Sequence, residues 1–268
     1  MQGYVDIDQR LHLLCQILAK VTANFIPEKE DYSHTNLAFD TISNRISSRW
    51  MQNSKGNVFL ALNLDSSMLQ WINESLQVIG EFKITGKTFA QIESELLSSL
   101  TSVGFDSNEL SAKLKYEIEE YPFKDLPVES MGKESINSWT TYRSLANQAC
   151  EAFLNHINGK EEVRIWPHHF DTGVYKEIRA KLGIGFGLAV KDSLANTPYF
   201  YLSGYGLQDK MVLKDLTDLE YGSWKTGDLN GAILSLTALE QIQDQQKIKV
   251  INSFIKSTLD WYLNNSLK

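Results

Sequence analysis

Cysteine, histidine and proline are scarce in this chain of 268 residues, which contains two cysteines, five histidines and five prolines. Cys15 and Cys150 each lie in a helical pattern among apolar residues, so we expect two buried free thiols and neither a disulfide nor a nucleophile. This use of cysteine is typical of a reducing compartment. Residues 1–6 lack the basic and apolar regions of a signal peptide, so we expect a cytoplasmic protein.

Long apolar runs and an excess of basic charge are also missing. No apolar run approaches the roughly 18 residues of a membrane span, so we expect a soluble protein without a membrane partner. The 26 basic and 33 acidic residues give a formal net charge of −7. An acidic surface repels phosphate backbones, which argues against nucleic acid as a partner. Hydrophobic residues at 43% and charged residues at 22% are typical of a globular protein.

Catalytic signatures are absent as well. The chain has no His-Glu-x-x-His, no Gly-x-Ser-x-Gly and no phosphate loop. The run from Gly183 to Gly187 lacks the spacing of a dinucleotide fingerprint. The sequence therefore specifies no cofactor and leaves open whether the protein is an enzyme, and it does not determine the oligomeric state.

Helical and extended patterns alternate twice along the chain. Three helices are predicted from apolar residues three and four apart, at about Asp8–Phe25, Ser135–Ile157 and Asp244–Leu263. A further helix begins at the capping box of Thr88 and ends at Gly104. Strands are predicted over Asn36–Ile42, Arg45–Met51, Asn57–Asn63, Met68–Asn73, Leu76–Ile84, Lys113–Ile118, Trp166–Asp171, Gly183–Lys191, Pro198–Tyr205 and Gly231–Leu236.

This order predicts an α+β fold of two helix-flanked antiparallel β-meander halves. The segment Tyr121–Gly132 contains Pro122, Pro127 and Gly132, so we expect it to be an irregular surface linker. It would separate residues 1–121 from residues 133–268, although the two halves could equally pack as one domain. A duplicated architecture is a second open reading, because the order helix, strands, helix occurs twice.

The stretch from Arg164 to Asp171 holds two of the five histidines. In a continuous strand, alternation would place His169 and Asp171 on one face, and Trp166 and His168 on the other. A His-x-Asp pair on one face can bind a metal, or its carboxylate can orient the imidazole as a base. The alternative is a histidine held by a local carboxylate in a partly buried sheet.

The strands that follow supply more polar and aromatic side chains. Sequential strands usually lie side by side, and glycines at Gly185 and Gly187 would leave room above the sheet for something other than a side chain. The candidate ligand-binding residues are Trp166, His168, His169, Asp171, Asp192, Tyr199 and Tyr201, with Tyr205 and Trp224 as further aromatic lining. The alternative is that these aromatic residues are ordinary sheet packing.

Two functions follow from this set of residues. The first is a binding protein with a polar-aromatic pocket around Trp166–Asp171 for a small molecule. The second is a metal-dependent or acid–base hydrolase that uses His169 and Asp171, with His168, Asp192 or His34 as further groups. A metal needs three or four protein ligands, and only His169 and Asp171 have credible spacing.

His12 lies one position off the apolar stripe of its helix, so we expect it at the surface.

Several blocks of sequence occur in a familiar order. They are Trp166-Pro167-His168-His169-Phe170-Asp171, Asp192, Pro198-Tyr199-Phe200-Tyr201, Trp224 and Gly231-Ala232-Ile233-Leu234. This set resembles uncharacterised bacterial protein families, domains of unknown function with a Trp-Pro-x-His-Phe-Asp block followed by a Pro-Tyr-x-Tyr block. The resemblance covers about Arg164 to Leu234 and implies no activity. It points to five matching positions as candidate site residues: His169, Asp171, Asp192, Tyr199 and Tyr201.

The match is incomplete. After Asp171 the chain has Thr172-Gly173 where those families usually have a small apolar step, and it has a longer insertion before Gly183. At the other end, the order of helix, meander and Gly86-Lys87-Thr88-Phe89 resembles a related group of unknown function.

Overall fold

A computed structural model describes residues 1–106, 110, 112–179, 182–207, 211–227 and 229–265. Within these residues the chain forms five α-helices and two antiparallel sheets of six strands each. The predicted α+β fold of two sheet-containing halves is therefore confirmed. None of the described helices is long and apolar enough to cross a membrane.

The helices are α1 (Gln2–Phe25), α2 (Phe89–Val103), α3 (Lys133–His156), α4 (Leu236–Glu240) and α5 (Asp244–Asn265). The first sheet contains β1 (Ala38–Asp40), β2 (Arg45–Ser47), β3 (Met51–Asn53), β4 (Gly56–Asn63), β5 (Met68–Asn73) and β6 (Val78–Lys83). The second contains β7 (Arg164–Trp166), β8 (Asp171–Arg179), β9 (Leu182–Ala189), β10 (Tyr199–Gly206), β11 (Ser223–Lys225) and β12 (Gly231–Ser235).

The chain divides into two compact units. The C-terminal unit comprises Met1–Val5, Thr141–Arg164 and Asp171–Lys268, and the N-terminal unit comprises Asp6–Thr140 and Ile165–Phe170. The segment Tyr121–Gly132 is irregular and mostly exposed, as predicted, and it lies within the N-terminal unit.

The N-terminal unit is built on the first sheet, whose strand order is β1-β2-β4-β5-β6 with β3 paired to β4. The capping box of Thr88 and Gln91 opens α2, and Gly104 ends it with a φ of 105°. Helix α1 begins at Gln2 rather than Asp8. Asp8 lies inside α1 and is a buried carboxylate that accepts a hydrogen bond of 2.7 Å from Trp139 Nε1. The strand predicted over Lys113–Ile118 is wrong, because the segment is irregular.

The C-terminal unit is built on the second sheet, where β11, β12, β10, β9 and β8 are neighbours in that order and β7 is the sixth strand. Because β12 lies between β10 and β11, this sheet departs from a simple meander at its end. Helices pack on one face of it: Phe153 of α3 stacks on Phe186 with 5.3 Å between ring centroids. Cys150, also on α3, is buried and free, as is Cys15 on α1, and this confirms the prediction of two free thiols.

Candidate functional site

The stretch that the sequence singled out is a turn rather than a continuous strand. Strand β7 ends at Trp166, a turn follows, and β8 begins at Asp171. Phe170 closes the turn with a φ of 53°, a left-handed conformation that β-strand residues do not adopt. The strand predicted over Trp166–Asp171 is therefore wrong, and alternation along it cannot pair His169 with Asp171.

The seven candidate residues also divide between the two compact units. Trp166, His168 and His169 belong to the N-terminal unit. The remaining four, Asp171, Asp192, Tyr199 and Tyr201, belong to the C-terminal unit.

In the N-terminal unit the turn is bound to α1 through two side chains. His12 Nε2 lies 3.0 Å from the carbonyl oxygen of Pro167, and Gln16 Nε2 donates to the same oxygen at 2.8 Å. Since a carbonyl oxygen only accepts, His12 carries its proton on Nε2, and its Nδ1 accepts from Tyr121 Oη at 2.7 Å. The ring of His12 also stacks on Phe170 at 5.2 Å. His12 is thus a buried structural residue, and its predicted surface position is wrong.

The two adjacent histidines of the turn differ in environment. His168 is half-buried among the rings of Trp166, Tyr116 and His169. Burial, with a smaller contribution from His169, lowers the pKa of His168 to about 4, so its imidazole is neutral at pH 7. His169 is exposed.

His34 is a separate case in the same unit. It is buried, and its Nδ1 accepts a hydrogen bond of 3.2 Å from the backbone N–H of Lys29. Over the described ranges of the chain, no three His, Cys, Asp or Glu side chains are grouped so that they could hold a metal ion.

In the C-terminal unit, Asp171 and Tyr201 form a short hydrogen bond. Tyr201 Oη donates to Asp171 Oδ2 at 2.5 Å, and the carboxylate is buried. Burial, followed by the charge of Asp171, raises the pKa of the Tyr201 hydroxyl well above its ordinary value. Tyr201 therefore stays protonated and acts as a donor.

Two further candidate residues in this unit, Tyr199 and Asp192, are hydrogen-bonded to each other and organise the loop that enters β10. Tyr199 Oη donates to Asp192 Oδ2 at 2.7 Å. Asp192 Oδ1 accepts from the backbone N–H groups of Leu194 and Ala195 at 2.9 Å and 3.1 Å. This arrangement is an Asx turn, so both carboxylate oxygens of Asp192 are already engaged.

Tyrosine rings cover the glycines of β9, which were expected to leave room for a ligand. A Cβ on Gly187 would lie 3.0 Å from Tyr201 Oη, and one on Gly185 would lie 3.2 Å from Tyr205 Cε2. A Cβ on Gly183 would collide with the ring of Tyr175. The space above these glycines is therefore filled by side chains, and that expectation is wrong. Bulky aromatic rings over strand glycines are a recognised means of stabilising a sheet.

Trp224 takes no part in this arrangement. It packs against Trp261 and Tyr262 of α5, with ring centroids 5.2 Å and 6.1 Å away.

Two of the covering rings remain accessible to solvent. Tyr175 on β8 is 39% exposed and Tyr205 on β10 is 46% exposed. Their ring centroids are 5.6 Å apart and their planes meet at 73°. We call this surface the tyrosine face; it consists of Asp171, Gly173, Tyr175, Glu177, Gly183, Gly185, Gly187, Tyr201 and Tyr205.

Sequence reasoning missed Tyr175 and Glu177, because β8 was not predicted beyond Asp171. One signal was available. Glycines at positions 183, 185 and 187 alternate in step with tyrosines at 199, 201 and 205, and the strand register pairs Gly187 with Tyr201 and Gly183 with Tyr205.

Comparison with family models, with curated protein sequences and with solved structures gives no match. The resemblance to uncharacterised bacterial families stays a prediction.

Proposed function

We propose that this chain is a binding protein and that the tyrosine face is its ligand-binding surface. The observation that carries the proposal is the pair of exposed, nearly perpendicular rings of Tyr175 and Tyr205 on the sheet face opposite to Phe186 and α3. Tyrosine offers a large, rigid contact area at low cost in conformational entropy, and it combines an apolar ring with a polar edge.

The surroundings of the rings support a preformed site. Tyr201 Oη is held by its hydrogen bond to Asp171. A side chain on Gly173, which follows on β8, would collide with this hydrogen-bonded pair. Because the Tyr201 ring is already held in place in the free protein, it loses little conformational entropy when a ligand stacks against the neighbouring rings. The tyrosine face is thus positioned by the sheet rather than by a loop, which favours a site of defined shape.

The alternative of a metal-dependent or acid–base hydrolase is favoured less. His169 lies in a turn, and Asp171 starts the following strand with one oxygen bound to Tyr201. The only thiol of the C-terminal unit, Cys150, is buried, and burial followed by the charge of Asp171 raises its pKa well above the usual range. A buried thiol of this kind is a poor nucleophile.

We also propose a reducing compartment such as the cytoplasm, supported by the two buried free thiols. A bacterial origin, which the resemblance implies, and the exclusion of nucleic acid, which the net charge of −7 supports, belong to the same proposal.

The proposal is tested by screening a chemically diverse set of small molecules for thermal shifts and confirming responses by calorimetry. We expect a responding ligand to lose at least tenfold in affinity in Tyr175→Ala and in Tyr205→Ala. The matched control is Trp50→Ala, which removes an aromatic residue of similar exposure, 48%, from the N-terminal unit. Binding that survives both tyrosine variants, or that is lost equally in the Trp50 variant, would contradict the proposal.

A further inference from the structure

We infer that the ligand of the tyrosine face is an organic cation, such as an amine or a quaternary ammonium group. This inference rests on the proposed function and specifies the chemical class that the site takes. It follows from the geometry of the rings, from the charges beside them, and from the hydrogen-bonding groups that are already in use.

The ring geometry suits a compact cation. A cation is attracted to the face of an aromatic ring within about 6 Å of the ring centroid. The centroids of Tyr175 and Tyr205 are 5.6 Å apart and their planes meet at 73°, so one positive group can lie within that distance of both. Aromatic side chains grouped around the cation are the usual means by which quaternary ammonium groups are recognised.

Among the described residues, two carboxylates belong to the tyrosine face. The strand register places Glu177 opposite Gly183, and Gly183 in turn opposite Tyr205, so Glu177 and Tyr205 flank a residue without a side chain. Glu177 is exposed. Burial of Tyr175 is the largest cause of the raised pKa of its hydroxyl, and the charge of Glu177 is the second largest. Asp171 adds a second carboxylate at Tyr201. Lys225 shares this sheet face by register but lies on β11, two strands beyond β10.

The hydrogen-bonding groups of the face disfavour a neutral polyhydroxylated ligand such as a saccharide. Tyr201 Oη and Asp171 Oδ2 are bound to each other. Ser203, between Tyr201 and Tyr205 on β10, is buried at 2% exposure. What the face offers to a ligand is therefore mainly the π-surface and the hydroxyl groups of two exposed tyrosines and the negative charge of Glu177; the π-surface and the charge both attract a cation.

The test compares choline with its uncharged isostere 3,3-dimethylbutan-1-ol, in which carbon replaces the quaternary nitrogen. Both are titrated into the protein, and binding is followed by calorimetry and by NMR of the tyrosine rings. We expect choline to bind roughly tenfold or more tightly than the isostere, since the shapes match and only the charge differs. Affinity for choline should fall with added salt, because an exposed carboxylate contributes to binding.

Three variants separate the contributions. Tyr205→Phe keeps a π-surface and should bind choline within about threefold of the native protein, whereas Tyr205→Leu keeps an apolar side chain and should bind at least fivefold more weakly. Glu177→Gln should weaken binding severalfold and reduce its salt dependence. Far-UV circular dichroism and melting curves establish that each variant is folded, and Trp50→Leu serves as the control outside the face.

The outcomes distinguish the two proposals. If a neutral or acidic compound binds at least as tightly as choline and Tyr205→Leu abolishes that binding, the cation class is wrong while the tyrosine face remains a binding site. Should no compound, charged or neutral, respond to Tyr205→Leu, both proposals are wrong.

Discussion

Replacing Gly187 by alanine tests whether the glycines of β9 serve close packing within the sheet. The added Cβ would lie 2.4 Å from the carbonyl oxygen of Thr172, 2.8 Å from Gly173 Cα and 3.0 Å from Tyr201 Oη. Ordinary contacts at such positions begin at 3.4 Å, so β8 would have to retreat by about 1 Å. Two of the three clashing atoms belong to the backbone of a paired strand, which cannot rotate away as a side chain can.

The expected cost can be set against a matched change on the same strand. Overpacking of this kind costs about 1–3 kcal/mol, and the smaller unfolded-state entropy of alanine offsets roughly 0.4–1 kcal/mol. We expect Gly187→Ala to lower the free energy of unfolding by about 1–2 kcal/mol. Gly185→Ala should change it by less than about 0.5 kcal/mol, because the nearest atom, at 3.2 Å, belongs to the exposed and movable ring of Tyr205.

Urea denaturation followed by circular dichroism measures both variants. At roughly 2–4 °C per kcal/mol for a protein of this size, Gly187→Ala should also lower the melting temperature by several degrees. Equal stabilities of the two variants would refute the packing argument. A Gly187→Ala variant that is as stable as the native protein but no longer binds a ligand would show that the glycine is needed for binding instead.

Three further substitutions probe individual buried polar groups, each by urea denaturation. Tyr201→Phe should cost about 1.5–3 kcal/mol, because it removes the donor to the buried Asp171 carboxylate; a cost below about 0.5 kcal/mol would show that the 2.5 Å contact contributes little. The folded-state pKa of Tyr201 is raised, so its contribution to the free energy of unfolding is complete below pH 10 and is lost as the pH rises through the folded-state pKa. Tyr201→Phe should therefore flatten the alkaline fall in stability, and an unchanged slope would contradict this. His12→Ala should cost about 2–4 kcal/mol, since it leaves the Tyr121 hydroxyl without its acceptor; a surface-like cost below 0.5 kcal/mol would refute the buried role. Ser203→Ala should change stability by less than about 0.5 kcal/mol, because among the described residues its buried hydroxyl has no hydrogen-bond partner, and a loss of 1 kcal/mol or more would reveal one.

Local features of the structure could be predicted from the sequence because their causes are local. The capping box of Thr88 and Gln91 is completed within four residues, and Gly104 ends the same helix by its own left-handed φ. Apolar periodicity located α3 and α5 to within a few residues, and β4 and β5 to within one. The burial of Cys15 and Cys150 followed from the same helical patterns.

The candidate site could be predicted only in part, since its geometry depends on contacts between distant segments. His12 is buried because two distant residues bond to its ring: Tyr121, 109 residues away, donates to Nδ1, and the carbonyl oxygen of Pro167, 155 residues away, accepts from Nε2. Phe170 adopts a positive φ that no local pattern of a non-glycine residue indicates, and this turn ends β7 before Asp171. The pairing of Asp171 with Tyr201 depends on the register of β8, β9 and β10.

The sequence by itself determined where α2, α3, α5 and the strands β4, β5, β9 and β10 form, because hydrogen bonds along a helix and alternation along a strand are set by neighbouring residues. The tertiary structure decided which side chains meet. Whether Gly185 has open space or a Tyr205 ring above it depends on the strand beside it, and no residue within β9 specifies that neighbour. In a sheet, contacts across neighbouring strands join side chains that are far apart in the sequence. The tyrosine face therefore exists only once the sheet has assembled.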